Sequence, residues 1–352
     1  MLCFRTVIAV QEVIITGKGG IISFRVQLVA VRAFLLVCVV LLSIHTLACA
    51  QNLSVPVLLV HGFQIGAINP LALSAGQFDL RNTWKTMVDG LVGERHCTFV
   101  PIPVMDLRGQ RLWTFWKARN HPIYISNYTE NARIPSLTCI GTYAALLANE
   151  IQEVQRREGV NKIDIVSHSM GGLVSRAYIE RSDFQEGDGA LLYYDYAYGQ
   201  DVRKLIMLGT PNHGSPLTEI AKLLGVSLRE APPFSVRQMH PGSKFLKLLN
   251  GGSSGRSLGV EYFAIAGNKC LCSLWDKFWV EVCAQIGIEI PPHAYCALFE
   301  EHHGCGDNDL VVATESVKLS EIPPQRYIVY PLDHDSLYRD AEVIRKVRTL
   351  LL

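Results

Sequence analysis

The chain has 352 residues, room for one elaborated domain or two ordinary ones. Its apolar share of 49% and charged share of 18% exclude a disordered chain. Thirty-three basic against thirty-two acidic residues, a formal charge of +1, argue against a partner such as nucleic acid, bound by neutralising phosphates. The mean hydropathy of +0.19 is high for a soluble enzyme, and ten cysteines are many for a cytosolic protein of this size.

The first predicted element bears on location. No Asp, Glu, Lys or Arg occurs from Ala33 to Phe78. Within that stretch Ala33–Ile44 reads AFLLVCVVLLSI, a length that suits a signal-peptide core and is short for a membrane span. Arg25 and Arg32 precede it, and Ala48 and Ala50 occupy the −3 and −1 positions of a cut before Gln51. An uncleaved anchor is the main rival, because apolar character extends from Val26 to Ala50. A lipid-modified Cys49 is a third reading. Residues 1–25 show no usable pattern. Residues 1–50 are therefore expected to be a signal peptide or N-terminal membrane anchor, and the protein to be secreted or extracytoplasmic, or held to a membrane through residues 26–50.

Export accounts for the cysteines. Losing Cys3, Cys38 and Cys49 leaves seven, enough for three disulfides with one over. Five of these lie between 270 and 305, where a disulfide-stapled insertion is expected. Asn52-Leu53-Ser54 and Asn127-Tyr128-Thr129 are N-glycosylation sequons.

Beyond residue 50 short apolar runs alternate with helical periods, which argues for an α/β fold with a mostly parallel sheet. Val55–Val60 reads as a buried strand. Trp84, Met87, Val88, Leu91 and Val92 form one helical face. Ile123–Ile125 reads as a strand. Ala144, Leu147, Ile151 and Val154 mark a helix that ends at Gly159. Lys162–Val166 is a strand, followed by a glycine-bearing turn and a helix through Arg181. Further strands are expected at Lys204–Leu208, Tyr262–Ala266 and Arg326–Val329. Val343, Ile344, Val347, Leu350 and Leu351 form a closing helix capped by Asp340. Three long interruptions, about 182–201, 215–258 and 268–305, read as loops and lids on one domain, 51–352, rather than as a second domain. The apolar clusters Leu217–Leu224 and Phe245–Leu249 fit greasy lids and ordinary core equally well.

The stretch Ile163–Tyr178, IDIVSHSMGGLVSRAY, carries the chemistry. A strand running into Ser167-His168-Ser169-Met170-Gly171-Gly172 and then into a helix is a nucleophile-elbow pattern. Its middle serine, Ser169, projects above the strand end on a strained turn. Small residues two before and two after it are needed because strand and helix crowd there. Gly171 meets the second requirement. Ser167 stands where glycine is usual, a small and tolerable change.

On these residues the chain resembles the α/β-hydrolase fold, and within it lipases and esterases with a His-Ser-Met-Gly-Gly elbow. LLVHGF at 58–63, LGTPNHGSP at 208–216 and MHPGSKFLKLLN at 239–250 are similar to the oxyanion loop, the strand end after the nucleophile and the cap segment of that group. The resemblance implies a mostly parallel sheet flanked by helices with cap insertions. It also implies a Ser-acid-His order. His334, after the last strand and before the last helix, takes the place of the base. Gly306-Asp307-Asn308-Asp309-Leu310-Val311-Val312 resembles the Asn-Asp-Gly-x-Val acid loop and selects Asp309, with Leu310 in place of the usual glycine. That departure keeps Asp307 open as the alternative acid. The resemblance assigns the oxyanion donors to the backbone N–H groups of Phe63 and Met170.

His302, His303, Cys305 and Asp307 match no standard zinc spacing, and no dinucleotide or phosphate loop is present, so neither metal nor cofactor is expected. The resulting reading is a serine-dependent carboxylic ester hydrolase, lipase-like, working through an acyl-enzyme on an ester or lipid substrate at a lipid or membrane interface. An acyltransferase or glycolipid deacylase would use the same residues. A non-catalytic relative that binds a partner would not need them.

Overall fold

The computed structural model describes residues 14–17, 20–23, 53–62, 79–93, 96–105, 108–129, 139–180, 200–215, 234–251, 259–269, 307–309 and 311–352. The chain separates into two units, 1–51 and 52–352. The first contains an antiparallel hairpin of β1 (Ile14–Gly17) and β2 (Gly20–Ser23), with Ile15 opposite Ile22. Its source is local: β-branched residues flank a glycine-rich centre. The stretch Ala33–Ile44 lies outside the described residues. Among those described, no helix is long and apolar enough to cross a membrane.

The second unit is built on an eight-stranded sheet. In chain order its strands are β3 (Val57–Val60), β4 (Phe99–Met105), β5 (Arg111–Ala118), β6 (Ile123–Ile125), β7 (Ile163–His168), β8 (Val202–Leu208), β9 (Glu261–Gly267) and β10 (Tyr327–Tyr330). Their order across the sheet is β10-β9-β8-β7-β3-β6-β5-β4. Pairing is parallel from β10 through β6, while β5 runs antiparallel to both β6 and β4.

The parallel strands are sheathed on both faces, which is why they read as unbroken apolar runs. Alternate residues feed opposite layers. Leu58, Val60, Ile165, Leu205 and Met207 enter one core, and Val57, Leu59, Val166, Ile206 and Leu208 enter the other. Three helices close the first layer: α2 (Ile140–Glu158), α3 (Met170–Glu180) and α5 (Lys244–Gly251). The second is closed by α1 (Leu80–Val92) and α7 (Ala341–Leu351). Two short helices, α4 (Phe234–Gln238) and α6 (Thr314–Val317), also occur among the described residues.

Helix ends follow local chemistry. Asp79 caps α1 through a bond from the Arg81 N–H, and Asp340 caps α7 through the Glu342 and Val343 N–H groups. Gly159 ends α2 with φ of 65°, its N–H returning to the Gln155 carbonyl. Cys139 caps the start of α2, its Sγ accepting from the Thr142 N–H at 3.4 Å.

Three features depart from the sequence reading or sharpen it. The β4–β5 hairpin was not expected, because Pro101 and Pro103 interrupt its pattern. β4 is an edge strand, where missing N–H donors are tolerated. Phe245, Leu246 and Leu249 are core, so this part of the 215–258 interruption is a packed helix; the cluster 217–224 lies outside the described residues. The Asn127 side-chain amide donates to the Thr114 carbonyl at 2.7 Å, and Tyr128 beside it is wholly buried. Asn52 and the five cysteines from 270 to 305 lie outside the described residues.

Candidate active site

Six parallel strands deliver their carboxyl ends to one edge of the sheet, where open α/β sheets place their ligands. β7 ends at His168 and the chain turns at Ser169 into α3. Ser169 has φ of +55°, a left-handed conformation that costs a non-glycine residue about 1–3 kcal/mol. Packing enforces it. The Ser169 N–H donates to the Leu208 carbonyl at 2.9 Å, and the Gly172 N–H donates to the Ser169 carbonyl at 3.0 Å. A Cβ on Gly171 would lie 2.4 Å from the His61 carbonyl oxygen, and one on Gly62 2.5 Å from the Ser169 Cβ. The elbow and the loop after β3 therefore touch backbone to backbone. Ser167, fully buried, sets its hydroxyl 3.4 Å from the Ile206 carbonyl and fits without displacing the strand.

Met170 opens α3, so its N–H belongs to the first turn, where helix donors have no partner within the helix. Phe63, the other expected donor, lies outside the described residues, one position beyond Gly62.

The acid and base loops meet at the same edge. His334 Nδ1 lies 2.7 Å from Asp309 Oδ2, with the Asp309 side chain fully buried and that of His334 nearly so. The other carboxylate oxygen, Oδ1, accepts from the Val311 N–H at 3.0 Å and the Val312 N–H at 2.7 Å. The His334 N–H donates to the Asp309 carbonyl at 2.9 Å. A side chain at Gly209, at the end of β8, would come within 3.0 Å of both Asp309 Oδ2 and the His334 ring. Asp307 is exposed, and its backbone carbonyl is taken by the Thr314 N–H and hydroxyl. The Asp facing His334 is thus Asp309. Asp335 is exposed beside it.

Charge follows this geometry. Burial works to lower the His334 pKa, but the facing Asp309 carboxylate, helped by Asp335 and Asp333, outweighs it and raises the value above the usual range. His61 shows the opposite case. Burial pushes it down to about 4 against the bond to the Gly62 carbonyl. Its ring stacks on Tyr128 at 4.5 Å, and the Tyr128 hydroxyl donates to the His61 carbonyl at 2.7 Å. His213 Nε2 lies 2.9 Å from the Lys318 carbonyl, so it donates there. No cluster of metal-binding side chains occurs among the described residues; His302, His303 and Cys305 lie outside them.

Beneath the site is a polar network the sequence reading missed. Arg176, fully buried on α3, binds Glu180 through Nε at 2.9 Å and Nη2 at 3.0 Å. It also reaches Asn212 Oδ1 at 2.9 Å and Asn250 Oδ1 at 3.0 Å. Asn212 passes the link to the Val317 carbonyl at 2.7 Å. The elbow helix, the strand end after it, α5 and the segment following the acid are tied together. An arginine seven residues past Ser169, on the buried side of a helix, was the available signal.

Residues 136–231 match the family described as PGAP1-like alpha/beta domain, just over a quarter of the chain, spanning α2, β7, the elbow, α3 and β8. No curated protein matches the sequence. Among solved structures, phospholipase PlaB from Legionella pneumophila is 16% identical with a TM-score of 0.50, covering 84% of this chain and 59% of its own. Lipase BlEst2 from Bacillus licheniformis, in its mature form, is 18% identical with a TM-score of 0.49, covering 86% of this chain and 93% of its own. At such identities the likeness is one of fold. Together with the sheet order, it establishes the α/β-hydrolase fold.

Proposed function

We propose that the protein is a serine-dependent carboxylic ester hydrolase, lipase-like, with Ser169 as nucleophile, His334 as general base and Asp309 as the acid that orients it. The observation that carries this reading is the buried Asp309–His334 pair at the sheet edge where Ser169 sits on its strained turn. A serine hydroxyl is a weak nucleophile until a base takes its proton. With Nδ1–H given to Asp309, the His334 Nε2 lone pair is left to accept the Ser169 proton as Oγ attacks the acyl carbon. The carboxylate then stabilises the imidazolium. The tetrahedral oxyanion is met by the backbone N–H of Met170 at the positive end of α3 and, as the family resemblance assigns, by that of Phe63. His334 returns the proton to the leaving alcohol, and water, activated by the same base, releases the acid from the acyl-enzyme.

An ester substrate with a lipid-like acyl chain follows by analogy with the phospholipase that shares the fold. The charge-poor stretch from Ala33 to Phe78 supports export, and with it work at an extracytoplasmic lipid surface. A fluorophosphonate probe tests the core of the proposal: it labels the chain at Ser169, and Ser169→Ala abolishes labelling and turnover. Labelling that persists elsewhere overturns the nucleophile. A hydrolysis profile across acyl-chain lengths, with and without an interface and with added alcohol, separates lipase from soluble esterase and hydrolase from acyltransferase. Sequencing the mature N-terminus tests cleavage before Gln51.

A further inference from the structure

His334 is held through its backbone as well as its ring. On one side of its Cα the N–H donates to the Asp309 carbonyl at 2.9 Å. On the other, its carbonyl lies 3.0 Å from Nε2 of His168. A carbonyl only accepts, so the His168 nitrogen carries the hydrogen. The His168 ring packs against the base loop, its centroid 4.5 Å from that of His334 and 4.7 Å from that of Tyr338 in an edge-to-face arrangement. His168 is also the residue before Ser169. One short segment thus carries the nucleophile and grips the base.

We infer that His168 is a positioning residue, which sets His334 against Ser169 by donating its Nε2–H to the His334 carbonyl; this rests on the reading of His334 as base. The backbone bond to the Asp309 carbonyl and the ring bond to the Asp309 carboxylate both hold His334 from the acid's side. The His168 bond holds the other side and ties the loop to the elbow. Displacements of about 1 Å at a reacting pair cost up to about a hundredfold in rate, so a bond that fixes this separation acts on turnover more than on binding.

His168 is suited to the task because it stays neutral. Burial, then the neighbouring His334 charge, with Arg339 and His61 beyond, keeps its pKa well below the usual range, against the bond to the His334 carbonyl. A cation here would oppose the imidazolium that forms on His334. The groups facing that base are Asp309, Asp333 and Asp335. With His168 uncharged, they are left to set its titration.

The test compares His168→Gln with His168→Asn. Glutamine extends an amide N–H to about the reach of Nε2; asparagine stops short, at the level of Nδ1. Active sites are counted by fluorophosphonate titration, and kcat, KM and the pH profile are expressed per titrated site. The Gln variant is expected to behave like the parent. The Asn variant should lose about 10- to 100-fold in kcat with KM unchanged, and its acid limb should move toward the ordinary histidine range as the His334 ring drifts from Asp309. Equal behaviour of the two variants overturns the proposal. So does a loss seen only as fewer titrated sites, or an unmoved acid limb. Failure of the underlying reading shows itself separately: a parent chain that the probe does not titrate, or that keeps its turnover as His334→Ala, removes the base and this proposal with it.

Discussion

The elbow and the acid loop hold their residues by different means. At Ser169 the constraint is backbone crowding: Gly171 and Gly62 leave no room for a side chain, and a left-handed φ of +55° results. At Asp309 the constraint is hydrogen bonding. Two N–H groups hold one carboxylate oxygen, an imidazole takes the other, and the Asp309 N–H returns to the Val312 carbonyl at 3.1 Å. A crowded turn is specified by the residues of the turn and its immediate neighbours. A bonded carboxylate needs, beyond the N–H groups of its own loop, a partner from a separate one, here His334. The first should fail by steric overlap and the second by loss of charge.

The largest effect expected from breaking that contrast is at the acid. Asp309→Asn keeps an oxygen for the Val311 and Val312 N–H groups but removes the charge that fixes the imidazole tautomer, and kcat should fall by up to about 10,000-fold. Steady-state kinetics check this, with Asp307→Asn near the parent value because its side chain is exposed. Next is the network under the elbow. Arg176→Met leaves the Glu180 carboxylate buried without its cation, and denaturant unfolding should show a loss of about 3–5 kcal/mol. At the elbow itself, Gly171→Ala forces a methyl against the His61 carbonyl at 2.4 Å. It should cost about 1–3 kcal/mol by thermal unfolding and take turnover with it. If turnover survives, crowding is not what holds Ser169.

The smallest effect is in the pH profile. The base works when neutral, so kcat/KM is full above the His334 pKa and is lost as pH falls through it. With that pKa raised, the acid limb of the parent should lie above about 6.5, the ordinary histidine value. Asp309→Asn should draw the limb down, since the charge that raised it is gone. A limb below the ordinary value in the parent would break the link between Asp309 and His334.

The parallel half of the sheet was legible for the same reason as the elbow. Val57–Val60 and Ile163–His168 are buried on both faces, so their apolar runs and flanking helical periods announce them locally. The β4–β5 pair was not. Its prolines are admissible only because β4 lies at the edge, a fact of sheet order rather than of the strand. Phe245 to Leu249 offered no choice between lid and core until α5 was seen packed into the layer with α3.

The sequence by itself determined the α/β alternation, the helix ends at Gly159 and Asp340, and the turn that carries Ser169. Each of these is written within a few residues as glycine, capping or periodicity. Only the tertiary structure decided that Asp309 rather than Asp307 faces His334, that Arg176 is tied to Asn212 and Asn250, and that His168 reaches the His334 carbonyl. Those contacts join positions 25 to 166 residues apart. No local pattern encodes them; they exist because parallel strands bring their carboxyl ends, and the loops that follow, to a single edge.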